Sequence, residues 1–362
     1  MKKSVILLFC ISSFILQSYS QKPADTKATK ETLHLYNKML STVEKGIMIG
    51  HQDDFVYGHS WNVKGVSDVK QTVGDYPAVY GWELGGLELG HLSSLDAVAF
   101  DDIRTGVKWV NSHGGINTIS WHCNNPLTEK NAWDVSSKLV VKSVLPGGEK
   151  NAVFVKMLDH LADFFLSLKD EKGRFIPVVF RPWHEHTGSW FWWGQNLCSS
   201  QEYVSLWKYT VNHLRMRGVH NIVYAYSSSS GFNNALEYLE RYPGDEIIDV
   251  LGFDEYQNGV AGKESYQKSI TKEMNILIPV SKEHHKIAIL AETGLESLPD
   301  PKWWTETLWP AIKDYPISYV LFWRNAHDKP THFYVPFSGQ LSAENFNEFE
   351  KDSRTLFLKD LK

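Results

Sequence analysis

Short, nearly continuous apolar runs recur along the chain, separated by longer stretches that are mostly polar and helix-patterned. The runs read GIMIG (46–50), PAVYGW (77–82), GINTISW (115–121), FIPVVF (175–180), NIVYAY (221–226), IIDVLGF (247–253), KIAILAE (286–292) and SYVLFW (318–323). Each is rich in β-branched or aromatic residues and lacks the strict alternation of a half-solvated strand, which is how strands buried on both faces read. Residues 152–173 and 201–218 carry helical patterning, and the second stretch stops at Arg217-Gly218. The stretch after the first run is the weakest helix candidate. Eight strands alternating with helices over about 300 residues predict an α/β fold, a (β/α)8 TIM barrel in one domain, with a doubly wound open sheet as the alternative.

A barrel places its chemistry at the C-terminal ends of its strands. The residues following the runs are HQDD (51–54), ELGG (83–86), HCNN (122–125), RPWHE (181–185), SSSS (227–230), DEY (254–256) and RNAHD (324–328), with Glu292-Thr293-Gly294 closing the seventh run. Reactive polar groups thus collect at one end. The opposite connections, HG, KGR, GVH, YPGDE, EHH and DYP, are ordinary turn chemistry.

Residues 1–20 do not read as part of the barrel. A basic MKKS, an apolar VILLFCISSFIL and a small-residue QSYS predict a secretory signal peptide cut after Ser20, leaving 21–362 as the barrel domain of a secreted or periplasmic protein. The formal charge is −5 and the leader takes two lysines with it. A mildly acidic exported chain is not built for nucleic acid, and no basic stripe suits a membrane surface. Membrane insertion of the mature chain is not expected. Cys123 and Cys198 remain after cleavage; they either pair or stay free, and two cysteines make no disulfide framework.

Fourteen tryptophans are more than apolar packing alone usually demands, because each is large and its N–H wants a partner. Flat amphipathic ligands such as sugar rings explain the surplus, as does a Trp-rich core. The densest stretch is RPWHEHTGSWFWWG (181–194), with four tryptophans around one glutamate. Trp192 and Trp193 cannot both face a ligand if extended, since neighbours point to opposite sides. Glu185, after the fourth run, and Glu292, ending the seventh, would both point into a barrel mouth. Two carboxylates across a sugar-sized gap are the equipment of glycoside hydrolysis; a salt bridge is the plainer role for either alone. His51, His122 and Tyr256 also have core readings. Asp254 suits a supporting partner for Arg or His, and Glu83 either touches a ligand or braces the rim.

RPWHEHTGSWFWWG resembles the acid/base signature of glycoside hydrolase family 26, the β-mannanases and their relatives, and AETG (291–294) resembles that family's nucleophile segment. GHQ (50–52), SWH (120–122), DEY (254–256) and FWRN (322–325) match in order, so the resemblance spans roughly residues 30 to 330. It implies Glu185 as general acid/base and Glu292 as nucleophile of a retaining enzyme acting on β-1,4-mannan, galactomannan or glucomannan, endo-acting or releasing mannobiose, without cofactor or metal. It further implies that His184 orients the site, that His122 and Trp190 line the sugar position where cleavage occurs, and that Tyr256 bonds the nucleophile. Trp323 becomes a stacking floor, and Arg324 reaches the next sugar. Relatives acting on mixed-linkage glucan or β-1,3-xylan keep those substrates as alternatives. A metal-dependent hydrolase, prompted by His184-Glu185-His186, and a non-catalytic glycan-binding protein are the competing classes.

Overall fold

The computed structural model describes residues 22–361; the leader expected over 1–20 lies outside them. Eight parallel strands form a closed barrel: β1 (Ile47–Gln52), β2 (Val79–Glu83), β3 (Ile116–Trp121), β4 (Val178–Pro182), β5 (Ile222–Ser229), β6 (Val250–Gln257), β7 (Ile287–Leu295) and β8 (Tyr319–Phe322). Each pairs with the next, and β1 closes the ring by pairing with both β2 and β8. This is the (β/α)8 architecture the apolar runs predict.

Burial on both faces explains why those runs show no alternation. Inward positions such as Met48, Val79, Val179, Val223, Val250, Ile289 and Leu321 pack together inside the barrel. Their neighbours, such as Ile49, Tyr80, Phe180, Tyr224 and Leu251, join the larger layer shared with the outer helices. Leu35, Tyr36 and Met39 of the helix Lys30–Thr42 join the interior cluster. That helix, N-capped by the Thr29 side chain, therefore stoppers the barrel at the end away from the polar clusters.

Two features depart from the expectation, and a third, after β1, agrees with it. A two-residue strand, β9 (Thr355–Leu356), pairs with the start of β1 and is too short to leave a pattern. The helix expected over 152–173 runs Asn151–Ser167. Beyond it, Asp170 accepts from the backbone N–H groups of Lys172 and Arg174, Gly173 takes φ +76°, and Lys169 bridges Phe175. Side-chain-closed turns of this kind compete with helix. After β1 only the short helix Asp68–Val73 forms. The helix Ser200–Met216 matches expectation and begins with a full capping box between Ser199 and Glu202. Cys123 and Cys198 are both buried and free.

Candidate active site

Glu292 reaches the barrel mouth because β7 carries an extra residue. Ile287, Ile289 and Ala291 face the interior, so strict alternation would turn Glu292 outward. The register against β6 shifts instead: Phe253 pairs with Leu290, but Asp254 pairs with Glu292. One inserted residue reverses the facing of a strand, and such bulges gather beside active sites. Glu292 consequently lies beside Arg181 of β4, an inward position within an otherwise apolar strand.

Arg181 organises the floor of the mouth. Its guanidinium donates to Asp254 Oδ2 at 2.8 Å and Ser227 Oγ at 3.0 Å, and its other terminal nitrogen is ion-paired with Glu292 Oε1. The side chain is only 2% exposed. Tyr256 donates its hydroxyl to the other oxygen of Glu292 at 2.7 Å. Glu292 thus has a cation on one oxygen and a hydroxyl donor on the other.

Glu185 sits opposite with different surroundings. The chain leaves β4 through two left-handed residues, Trp183 at φ +55° and Glu185 at +52°. Non-glycine residues hold this conformation at an energetic cost, which structures tolerate mainly at functional sites. Tyr203 donates its hydroxyl to the Trp183 carbonyl and Trp193 its indole N–H to the His184 carbonyl, which fix the turn. Burial, reinforced by the negative charge of Glu292, pushes the Glu185 carboxyl up to about 7, against the Trp190 hydrogen bond and the charges of Arg181 and His122. One carboxyl oxygen each from Glu185, Asp254 and Glu292 lie within 4.8 Å of one another. The carboxyls of Glu185 and Glu292 thus face each other across a short gap in different surroundings.

A family model described as glycosyl hydrolase family 26 matches residues 24–296. The chain belongs to that family. A mannan endo-1,4-beta-mannosidase of Bifidobacterium adolescentis is 31% identical across 92% of the chain, and the chain spans only 35% of that relative's length. Among solved structures, a GH26 beta-mannanase from Bacteroides ovatus is 48% identical with a TM-score of 0.90, covering 92% of this chain and 96% of that one. A modular endo-beta-1,4-mannanase from Cellulomonas fimi is 32% identical with a TM-score of 0.85, over 94% of this chain and 78% of the other.

In this family-26 site, the aromatic stretch around Glu185 divides sharply. Trp183, Trp192 and Trp193 are fully buried; Trp192 donates to the Cys123 carbonyl. Neither member of the Trp192–Trp193 pair faces the mouth. Trp190 is the exposed one, 44% accessible, and it donates to Glu185. Trp323 is half-buried, with its ring 6.2 Å from that of His122 at 70°. His122 and His184 commit to each other, Nε2 to Nε2 at 3.1 Å, and His122 Nδ1 binds Glu83. Neither histidine is left presenting a ring N–H to the mouth through those nitrogens. His51 is buried against Asp54. Glu83 is fully buried and braces the rim.

Arg324 is held rather than free. Its Nε donates to Asp96 at 2.9 Å, and a terminal nitrogen lies 3.3 Å from the Tyr57 hydroxyl, which donates to Asp53. Sequence reasoning passes over Arg181, Asp96 and Tyr57. Arg181 does carry a signal: a charge at an inward position of a buried strand needs a partner of opposite sign. Asp96 comes from the loop after β2, where no period applies. Trp133, from the long loop after β3, stacks on His122 with centroids 5.1 Å apart at 13° and is 45% exposed, so that loop lines the mouth.

Proposed function

We propose that this chain is a retaining β-mannanase that cleaves β-1,4-mannosidic bonds by double displacement. The asymmetry between the two glutamates carries the proposal. Glu292, flanked by Arg181 and Tyr256, attacks the anomeric carbon and forms a covalent glycosyl ester. The bond to the leaving oxygen breaks as that oxygen takes the proton of Glu185. Glu185, now a carboxylate, then draws a proton from water as the water oxygen attacks the same carbon and releases Glu292. Burial of Glu185 supports the acid role, since a carboxyl held near 7 is still about half protonated at neutral pH, where an ordinary glutamate is almost wholly ionised. The names of the most similar relatives support mannan as substrate. The exposed Trp190 and the half-buried Trp323 offer aromatic faces that suit a pyranose. Arg324 holds the neighbouring sugar. The basic and apolar leader supports export of the mature chain to the periplasm or the medium, and among the described residues no helix is long and apolar enough to cross a membrane.

The test is digestion of mannan, galactomannan, mixed-linkage glucan and β-1,3-xylan side by side, with proton NMR of the first-formed sugar. Mannan should be cleaved and the β anomer should appear first. Hydrolysis of only the glucan or the xylan would reject mannan, and an initial α anomer would reject Glu292 as nucleophile.

A further inference from the structure

Glu83 ends β2 beneath the mouth and is fully buried. It accepts four hydrogen bonds: from the backbone N–H of Gly85 at 2.5 Å and of His122 at 2.9 Å, from Ser120 Oγ at 2.7 Å, and from His122 Nδ1 at 2.8 Å. Burial opposes charge on Glu83, but His122 and the Ser120 hydroxyl outweigh it and hold the carboxyl below its ordinary range, so it is the acceptor and His122 Nδ1 carries a hydrogen. Beyond it, the Nε2 atoms of His122 and His184 face each other at 3.1 Å. One hydrogen lies between them. Either His184 donates to a neutral His122, or His122 carries two hydrogens and donates to a neutral His184. The Nδ1 of His184 is buried with no well-aligned partner, and the Arg181 backbone carbonyl bears on it and favours a hydrogen there.

The surroundings choose. Facing His122 are Glu83 from β2, Glu292 from β7, Asp96 from the loop after β2 and Glu185 after β4, with His184 of the segment after β4 across the shared hydrogen. The rings of Trp133, Phe191 and Trp323 complete its packing. The charged and titratable groups that weigh most on His184 are the Arg181 guanidinium, His122 and His186. A proton shared by the pair belongs on the ring surrounded by anions. Burial opposes charge on His122, but Glu83 and its hydrogen bond outweigh it and move that imidazole upward; burial and Arg181 move His184 well downward.

We propose that Glu83 is a positioning residue that keeps His122 a charged imidazolium throughout the working pH range, giving the site a second fixed cation beside Arg181. Both ring hydrogens of His122 are spent on Glu83 and His184, so it acts through its charge and not as a donor to sugar. Its field eases proton release from Glu185. The inference rests on the two glutamates' proposed roles for its kinetic consequence, but not for the protonation state itself.

The direct measurement is nitrogen NMR of the mature enzyme labelled at histidine, with His122→Asn identifying the resonance. At about pH 8, well above the ordinary imidazole value of about 6.5, His122 should still show two protonated ring nitrogens. A neutral His122 there overturns the proposal, whatever glycan the enzyme cleaves. Glu83→Gln should lose the imidazolium signature and move both limbs of the kcat/KM profile to higher pH, by roughly one unit. Unmoved limbs with a lower plateau would reduce Glu83 to a mere brace and overturn its positioning role. The wild-type measurement stands even if the variant does not fold.

Discussion

Trp190 donates its indole N–H to Glu185 Oε2 across 2.6 Å, while its ring remains half-open to solvent. One side chain therefore offers a sugar-facing surface and a bond to the carboxyl proposed as acid/base. The two jobs pull on different observables. The hydrogen bond favours the ionised carboxyl and so lowers its proton affinity. Trp190→Phe keeps an aromatic face and deletes the donor. The expected result is a basic limb of kcat/KM that moves upward from about 7, by about one unit or less, with a reduced plateau. A limb that stays put or falls would show that this bond does not tune Glu185.

The Arg181 cluster yields a stability prediction. Asp254 and Glu292 share one buried guanidinium. Removing one partner of such a group leaves uncompensated buried charge, typically about 3–5 kcal/mol. Arg181→Met should therefore lower the denaturant midpoint strongly as well as abolish turnover. Asp254→Asn keeps an acceptor for Arg181 and removes one negative charge, so it should cost clearly less stability. Equal losses would mean that the charges are compensated elsewhere.

The barrel is legible because each strand is buried on both faces, which writes a continuous apolar run into the sequence. The catalytic end is legible because polar residues follow every run on the same side. Arg181 stands in plain view within RPWHE, yet its role depends on the facing of β4, which a run buried on both sides does not reveal. Glu292 is legible as the polar end of the seventh run, but the one-residue bulge that turns it into the mouth is reported by no apolar pattern. The residues drawn in from loops, Asp96 and Trp133, obey no period; only the folded path brings them to Arg324 and His122. The helix that stoppers the barrel, Lys30–Thr42, leaves little trace because its stretch is mostly polar and yields only a few buried positions.

Arg324 is predicted to serve the sugar beyond the one that is cleaved. Remote binding energy often appears in the chemical step. Arg324→Ala should weaken turnover on manno-oligosaccharides far more than on a short activated aryl mannoside. Its ion pair with Asp96 adds a second expectation: Asp96→Asn, which loosens the clamp without removing the guanidinium, should show the same selectivity with a smaller loss. Equal losses on both substrates would place Arg324 at the cleavage position or in the scaffold.

The two glutamates should fail in different ways when replaced. In the proposed mechanism Glu185 supplies a proton to the leaving oxygen and later activates water, so its loss should matter least where the leaving group needs no proton. Glu185→Ala should nearly abolish mannan cleavage but spare the first step on an aryl mannoside with a good leaving group. The covalent intermediate should then accumulate and be visible by mass spectrometry of the intact protein, and azide, a nucleophile that needs no general base, should restore turnover. Glu292→Ala forms no intermediate and should lose both substrates. Replacing Glu292 also relieves Arg181 of one carboxylate and Tyr256 of its acceptor, so the fold of that variant should be checked by its melting transition. A Glu185→Ala enzyme equally inactive on both substrates and deaf to azide, with the fold intact, would mean that Glu185 is not the proton donor.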